Sequence, residues 1–264
     1  MSTRLPISIC LIAGNEAHRI RRTLASVADW AGEIIVVLND DVNDGTDKIA
    51  ESFGAKVFRE PWKGHIAQKN SAAEKAAQTW LLGLDADEEI SAGLREEIIQ
   101  AVSRNDSVVA AYSFPRCTFY CGRWIRHGDW YPDRKIRLWR CGKAQWGGVD
   151  PHDAVLVDGK VGRLKSDLLH YSMENLNHHV RKTMAYSDIF ARQNLAHGAK
   201  VSVFTLWFRP GFRFVRGYFL KLGFLDGWQG YAIARLVALE TFLRYAKIRE
   251  ATVAPKDKNQ PVNS

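Results

Sequence analysis

Two aspartates separated by one residue, Asp85 and Asp87, are the side chains of this 264-residue chain best suited to chemistry. The run before them, Trp80–Leu84, is apolar and continuous, which is typical of a strand buried on both faces. Open α/β sheets bind their ligands at the carboxyl ends of such strands. Carboxylates placed there are hard oxygen ligands for Mg2+ or Mn2+, and that cation can bridge the oxygens of a nucleotide diphosphate. Alone, the pair is a weak motif, because Asp-x-Asp also occurs in solvated turns.

The elements around this pair alternate between strand and helix patterns over the first hundred residues. Strands are predicted at Ile7–Ile12, Glu33–Leu38, Lys56–Arg59, Trp80–Leu84 and Val108–Pro115. Helices are predicted at Glu16–Trp30, at Asp47–Phe53 with Thr46 as N-cap, at His65–Gln78, and from the N-cap Ser91 to about Arg104. This order predicts an α/β fold with a mostly parallel sheet and helices on both faces. Residues 116–172 are rich in Trp, Arg, Gly and Asp, and predict an irregular, partly antiparallel extension that carries substrate loops.

Several classes of protein are disfavoured by what the sequence lacks. It contains no G-x-S-x-G elbow, no P-loop, and no G-x-G-x-x-G after the first strand. The four cysteines have neither zinc spacing nor a secreted disulfide pattern, so reduced cytosolic thiols are expected. The apolar run Ile7–Ala13 is too short for a signal peptide, and no stretch is long enough to span a membrane. We therefore expect a cytoplasmic protein, or one on the inner face of the cytoplasmic membrane.

Taken together, the motifs resemble those of family 2 glycosyltransferases with the GT-A fold. The resemblance rests on Ala13–Glu16, on Glu33–Leu38 with the following Asn39–Thr46, and on Leu84–Glu88, in that order and spacing. Further segments are similar to the branch that adds glucose to the lipopolysaccharide inner core: Gly64–Asn70, Arg137–Trp139, Val149–Asp153 and Gly223–Gly227. The resemblance covers roughly residues 5–250. It implies an inverting transferase that moves a hexose, glucose from UDP-glucose, onto a lipopolysaccharide core or another lipid-linked acceptor.

On the donor side, the resemblance implies that the nucleotide base is lined by Ala13, Asn15 and Glu16. The family usually has an aspartate after the second strand; that position is Asn39 here, with Asp40 or Asp41 as an alternative. Asn39 can still pair with a uracil edge, because an amide both donates and accepts. Lys69 is expected to face the donor phosphates or a nearby acid.

The acidic motif itself divides into separate roles under the same resemblance. Asp85 would contact the ribose or a metal-bound water, and Asp87 would ligate Mg2+ or Mn2+. We interpret Glu88 and Glu89 as favouring the positive N-terminus of the helix that Ser91 caps.

On the acceptor side, the family's acidic residue after a histidine corresponds to Asp153, the expected general base, with Asp150 as the alternative. His152 is assigned to the acceptor site, although a metal-ligand, diphosphate-binding or structural role stays open. Trp130 and Trp146 suit stacking against a sugar ring, with core packing as the alternative. We expect the catalytic domain to cover residues 1–172, with nucleotide-sugar binding in 1–115 and the acceptor and base region in 116–172.

The last quarter of the chain carries most of its net charge. Of the +8 total, +7 lies in residues 200–264, and residues 204–245 hold 12 of the 29 aromatic residues. Residues 173–253 predict helices, interrupted at Pro210 and Gly211, and 254–264 predict a disordered tail. Basic, aromatic helices predict peripheral contact with an anionic membrane, with packing of these helices on the catalytic domain as the alternative. The lack of a recognisable module argues against nucleic acid. Two alternatives remain: a transferase acting on a polyprenyl phosphate or capsule intermediate, and a non-catalytic nucleotide-sugar or glycolipid-binding protein.

Overall fold

The computed structural model describes residues 4–149 and 152–253, which divide between two compact units. The first unit contains the described residues up to Thr118 together with Pro132–Ser172. The second contains Phe119–Tyr131 and the described residues from Met173 onward. The segment Phe119–Tyr131, grouped by sequence with the acceptor region, thus belongs to the second unit.

Strands dominate the first unit and helices the second. The strands are Leu5–Ala13 (β1), Ala31–Asn39 (β2), Lys56–Glu60 (β3), Trp80–Asp85 (β4), Glu88–Ile90 (β5), Val109–Tyr120 (β6), Arg123–Ile125 (β7), Asp133–Arg140 (β8), Ala144–Val149 (β9), His152–Val157 (β10), Lys160–Arg163 (β11) and Leu168–Met173 (β12). The α-helices are Ile20–Ala25 (α1), Thr46–Ser52 (α2), His65–Glu74 (α3), Ala92–Arg104 (α4), Leu176–Ala196 (α5), Val203–Val215 (α6) and Gly227–Val253 (α7).

The main sheet has the strand order β3-β2-β1-β4-β8-β6-β12-β5, with β11 beside β6. Strand β1 pairs in parallel with β2 on one side and β4 on the other. Strand β8 is antiparallel to both β4 and β6, so β6 runs in the same direction as β4. Strands β9 and β10 form a separate antiparallel hairpin. The predicted α/β class is confirmed: β1 to β4 pair with one another in parallel, whereas the pairing in the extension is mostly antiparallel, with β11 parallel to β6.

The continuous apolar run of β2 is explained by burial on both faces. Ile34, Val36 and Leu38 join one hydrophobic cluster, while Ile35 and Val37 join another on the opposite face. Since successive side chains of a strand point to opposite faces, only an unbroken apolar run satisfies both clusters.

Two helix starts differ in instructive ways from the sequence prediction. Helix α1 is shorter than Glu16–Trp30, because turns flank it and the amide of Glu16 donates to Thr46 Oγ1 at 2.9 Å. The predicted N-cap of α2 is wrong by one residue: Gly45 caps it in a left-handed conformation, with φ of 91°, and Thr46 is the first helical residue. Ser91 does cap α4, since its hydroxyl accepts from the Leu94 amide at 3.2 Å.

The second unit is built on α5, α6 and α7, with a π-helical turn at Arg216–Leu220 and a 3-10 turn at Gly223–Asp226. Its core includes Tyr120, Ile125 and Ile233. The predicted interruption at Pro210 is wrong, because α6 runs through that residue to Val215. Across the described part of the chain, no helix is both long enough and apolar enough to cross a membrane.

Candidate active site

Strand pairing places the carboxyl ends of β1, β2 and β4 at one edge of the first unit. Ile12 is the register partner of Asp85, and Ala13 that of Leu38. This is the point where the strand order changes direction, with β2 on one side of β1 and β4 on the other. In open α/β sheets a crevice forms at such a switch point and receives the ligand.

The loops after β1 and β2 are tied to each other at this edge. Asp44 accepts from the Ala17 amide at 2.9 Å and from the Thr46 hydroxyl at 2.6 Å. The hydrogen bond from the Thr46 hydroxyl lowers the pKa of Asp44 most, and the bonds from the backbone amides of Ala17 and Thr46 lower it further. The Asn15 side chain accepts from the Asn43 amide at 3.4 Å. These contacts fix the backbone between the two strand ends.

The predicted donor residues lie around those loops. Ala13 is buried at the end of β1. The side-chain nitrogen Nδ2 of Asn39 lies 3.9 Å from the position that a Cβ on Gly14 would occupy. Glu16 is ion-paired with Arg19, whereas Asp41 is exposed in the turn after β2. Asn39 is thus the residue of the β2 end that lies against the β1 end.

Asp85, the last residue of β4, is held by two cations. Its Oδ1 lies 2.8 Å from Lys69 Nζ, and its Oδ2 accepts from Arg137 at 2.6 Å. Burial would raise the pKa of Asp85, but Arg137 and Lys69 outweigh that effect and hold it well below its usual range. Asp85 is therefore a permanent anion at this edge.

Glu88 corrects the interpretation drawn from sequence. It lies in the short strand β5 with an exposed fraction of 0%, not on the surface before α4. Its carboxylate accepts from the Asp85 amide at 2.9 Å, from Arg137 at 3.0 Å and from Arg116 at 3.3 Å. Glu88 thereby fixes the backbone that follows β4 and orients Arg137 toward Asp85.

Asp87, the predicted metal ligand, has the opposite electrostatic environment from Asp85. Its oxygens lie 3.6 Å from Arg19 Nη1 and 3.6 Å from His170 Nε2. Burial and the charges of Glu88 and Asp85 raise the pKa of Asp87 to about 6, against the lowering effect of Arg19. The negative charge around Asp87 is thus under-compensated, which is the condition under which a cation binds.

The described residues contain no cluster of three or more His, Cys, Asp or Glu arranged to hold a metal. Mg2+ is commonly held by one or two carboxylates plus substrate phosphates rather than by a complete protein cage. Asp87 with its surplus negative charge therefore fits a cation that arrives with a diphosphate.

Lys69 joins Asp85 to the expected base, Asp153. Its Nζ donates to Asp153 Oδ2 at 2.7 Å while pairing with Asp85 at 2.8 Å. Asp153 lies in β10 opposite Gly148 of β9, so the hairpin brings it to the end of β4. Lys69 itself is buried on α3, with its Nζ 4.4 Å from the centre of the Trp146 ring.

Trp146 is packed rather than displayed. Its exposed fraction is 5%, its ring meets Trp139 edge-on at 5.7 Å, and its backbone exchanges two 2.9 Å hydrogen bonds with the Asn70 side chain. Gly83 permits this packing, because a Cβ there would lie 2.7 Å from the Trp146 ring. The Trp146 ring therefore packs against Lys69 and Arg137, and little of its surface is accessible to a sugar.

The remaining predicted residues of the acceptor side are Trp130, His152 and Asp150. Trp130 lies in the second unit, where its ring packs against Tyr120 at 5.3 Å and His179 at 5.0 Å. The backbone of His152 pairs with Val149, and its side chain lies outside what the structure describes. Asp150, the alternative base, also lies outside the described residues.

The sequence predicts no role for Arg137. It also predicts the wrong environment for Glu88, which lies in the buried strand β5 rather than acting on the N-terminus of α4. Arg137 was part of a recognisable motif, but nothing in the strand pattern of β8 reveals that its partners are Asp85 and Glu88. One usable signal is present in the sequence: Glu88 is a third acid directly after Asp85 and Asp87, and a buried acid requires a cation or hydrogen-bond donors nearby.

The fold is α/β with the kind of strand edge at which open α/β sheets bind ligands, and comparison with known proteins identifies its family. The sequence model of glycosyl transferase family 2 matches residues 8–159, which include Asp85, Asp87 and Asp153. The chain belongs to this family and is a glycosyltransferase.

Relatives extend the match over nearly the whole chain. An uncharacterized glycosyltransferase of Rickettsia typhi, RT0209, is 31% identical over 261 residues, covering 95% of this chain and 89% of its own. The lipopolysaccharide core biosynthesis glycosyltransferase LpsC of Rhizobium meliloti is 28% identical over 255 residues, covering 94% and 93%. The mannosyltransferase PcManGT of Pyrobaculum calidifontis, solved with GDP-Man and Mn2+, shares the fold with a TM-score of 0.53 at 13% identity, covering 93% and 87%.

Proposed function

We propose that this glycosyltransferase is inverting and metal-dependent, and that it transfers glucose from UDP-glucose to a lipopolysaccharide core or another lipid-linked acceptor. The observation that carries the proposal is the Asp85–Lys69–Asp153 chain of contacts, 2.8 and 2.7 Å long. Through Lys69, these contacts connect two groups. One is the end of β4, where the nucleotide sugar would bind, and the other is the carboxylate of Asp153, which could accept a proton.

The donor would bind across the carboxyl ends of β1, β2 and β4. The backbone at Ala13, Asn15 and Glu16 would border the base, with Asn39 pairing its edge through an amide that donates and accepts. Asp41 is exposed and would contribute only if the turn closes over the nucleotide. Asp85 would reach the ribose, because Lys69 and Arg137 already fix its orientation.

Asp87 would hold Mg2+ or Mn2+ together with the donor's diphosphate. That cation supplies positive charge to the leaving diphosphate. The raised pKa of Asp87 supports this assignment, since its acidic neighbours outweigh Arg19. The Mn2+ in the PcManGT complex is a property of that protein and agrees with the choice of metals.

Asp153 would act as general base toward the acceptor hydroxyl. Lys69 donates a hydrogen bond to its Oδ2, which leaves Oδ1 to receive the proton. Asp150 stays the alternative base. A lipid-linked saccharide as acceptor is supported by the name of LpsC, and by the exposed aromatic and basic side chains of α6, among them Trp207 and Arg209. These would rest peripherally on the inner face of the cytoplasmic membrane.

Transfer of glucose from UDP-glucose to purified lipopolysaccharide core acceptors tests this proposal. Asp153→Asn is expected to lower kcat at least about a hundredfold, because the base is lost while the shape is kept. Asp87→Asn is expected to abolish the stimulation by Mn2+. The matched control is Asp158→Asn, at a 91% exposed carboxylate just beyond β10, which should leave activity unchanged.

Other outcomes separate the alternatives. Full activity in Asp153→Asn with loss in Asp150→Asn would move the base to Asp150. Transfer only to a polyprenyl phosphate would replace the acceptor. UDP-glucose binding without transfer or hydrolysis would support a binding protein and contradict the enzyme proposed here.

A further inference from the structure

A cavity of about 800 Å3 lies entirely within the second unit. It is within the size range of small-ligand sites. Its walls combine aromatic side chains of α6 with arginines of α6, α7 and the π-helical turn. Neither the family match nor the transfer reaction assigns it a role.

Asp129 forms one wall of this cavity and is surrounded by three cations. Its oxygens lie 3.2 Å from Arg213 Nε, 3.5 Å from Arg216 Nη1 and 3.2 Å from Lys221 Nζ. The Asp129 side chain is 4% exposed, and neither oxygen has a hydrogen-bond partner among the described residues. One carboxylate thus gathers three positive charges, which leaves a local surplus of cation.

The other charges of the cavity do not cancel this surplus. Arg244 is paired with Glu240 four residues before it. Arg209 is hydrogen-bonded to the Tyr245 hydroxyl and lies over that ring. Because a neutral phenol does not cancel a charge, the excess positive charge resides on Arg209 as well as on Arg213, Arg216 and Lys221.

This arrangement is built into the backbone. Gly217 lies in the π-helical turn, where a Cβ would stand 3.0 Å from Asp129 Oδ2. A larger residue there would displace the carboxylate that holds the cations. The side chains of the three cations are 36–39% exposed, so their charges are accessible to an anion from the solvent side.

The apolar wall narrows the class of anion. Phe204, Phe208 and Phe212 follow one another at intervals of four residues on α6, and their rings stack at 5.3 and 6.0 Å. Each of these rings is largely exposed. A ligand that satisfies both walls carries negative charge at one end and apolar chains at the other.

We infer that this cavity binds the phosphate of an anionic lipid headgroup, with Arg213 and Arg216 as its guanidinium donors and the α6 rings against the acyl chains. Arginine suits this role because its planar fork bonds phosphate oxygens in pairs. Asp129 acts as a positioning residue that holds the donors in place. The inference rests on the proposed membrane contact and sharpens it from a basic surface to a defined phosphate site.

Co-sedimentation of the full chain with vesicles at physiological salt tests the inference. Vesicles of phosphatidylcholine alone are compared with vesicles containing roughly a third phosphatidylglycerol. Arg213→Gln/Arg216→Gln is expected to lower affinity for the anionic vesicles about tenfold or more. The charge-matched control, Arg192→Gln/Lys200→Gln on exposed positions of the same unit, should lower it less than about threefold.

A charge-conserving variant guards against misfolding, since removing two cations leaves Asp129 less compensated. Arg213→Lys/Arg216→Lys keeps the charge but loses the fork, and is expected to weaken anionic-vesicle binding by about threefold to tenfold. Equal binding by this variant and the native chain would overturn the phosphate site and leave only general attraction. Glycerol phosphate binding as tightly as the lipid would overturn the lipid assignment.

The outcomes also separate this inference from the proposed function. If the cavity variants and the control variant lose binding to anionic vesicles equally, the phosphate site is contradicted and the membrane contact stands. If the native chain binds no vesicle, the phosphate site and the membrane contact are both contradicted. Transfer to a detergent-dispersed acceptor, measured in parallel, reports on the catalytic proposal without the membrane.

Discussion

Glu88 in the first unit and Asp129 in the second are both buried carboxylates near several cations, but the two are neutralised differently. Glu88 accepts three hydrogen bonds, and its cations are shared with other acids: Arg137 with Asp85, and Arg116 with Asp133. Asp129 has ion pairs at 3.2–3.5 Å without hydrogen bonds, and its three cations have no second acid among the contacts described above. Around Glu88 every cation has a second acid, so the charges are balanced and the side chains are held in place; we call this the closed arrangement. Around Asp129 the cations keep positive charge that a ligand could neutralise.

The largest effect is expected from opening the closed arrangement. Arg137→Met would leave Asp85 and Glu88 without their shared buried partner, and should lower the free energy of unfolding by about 3–5 kcal/mol. Urea unfolding followed by circular dichroism measures this. Arg95→Met, which removes an exposed pair with Asp29, should cost less than about 1 kcal/mol. Equal losses in the two variants would show that the cluster around Glu88 does not stabilise the first unit.

Acid should distinguish the two units next. Burial, with smaller contributions from Lys182 and His178, lowers the pKa of His179 in the second unit to about 4. Because the unfolded chain binds this proton more tightly, the stability that neutral His179 contributes is full above pH 6.5. It is lost as the pH falls from 6.5 toward 4, by roughly 3 kcal/mol in total.

In the first unit, Lys75 and Ser71 lower the pKa of Glu60 to about 2, so its contribution is lost only between pH 4.5 and 2. Melting temperatures measured from pH 7.5 to 4.5 should therefore fall less steeply in His179→Gln than in the native chain. His197→Gln, at an exposed histidine of the same unit, should keep the native slope. Parallel slopes for the native chain and His179→Gln would contradict this assignment.

A pair of glycine substitutions gives the smallest effect and opposite signs. Gly83→Ala places a Cβ 2.7 Å from the Trp146 ring and should destabilise the first unit by about 1–3 kcal/mol. Gly211→Ala, within α6 and with open space around its Cβ, should stabilise the second unit by about 0.5–1 kcal/mol. Thermal unfolding measures both, and a stabilising Gly83→Ala would show that Trp146 moves freely behind the site.

The features predicted correctly from sequence are those with a local cause. The strand at Glu33–Leu38 follows from burial on two faces, and the cap at Ser91 from a hydrogen bond three residues away. The strand end at Asp85 is likewise visible in the sequence, whereas the site roles of Asp85 and Asp87 stay predictions.

The features missed have causes distant in the chain. The partners of Arg137 lie 49 and 52 residues before it, so no window of sequence contains the interaction. Trp146 lies beside glycines in the sequence. An aromatic residue in that position fits both stacking against a sugar ring and core packing until its neighbours are known. Its neighbours prove to be Trp139 and Asn70. Pro210 and Gly211 predict an interruption of the helix, although α6 continues through both residues.

Lys69 also bears on the order in which the molecule assembles. Its contact with Asp153 spans 84 residues, whereas Asp85 lies only 16 residues from it. Long-range contacts carry a larger loop-closure entropy, so the contact with Asp85 should form before the contact with Asp153. During synthesis, a chain that has emerged only through β4 would have its carboxyl edge but lack the proposed base. Catalytic competence would then arise in a single late step, when the β9–β10 hairpin docks its carboxylate onto a lysine already in place.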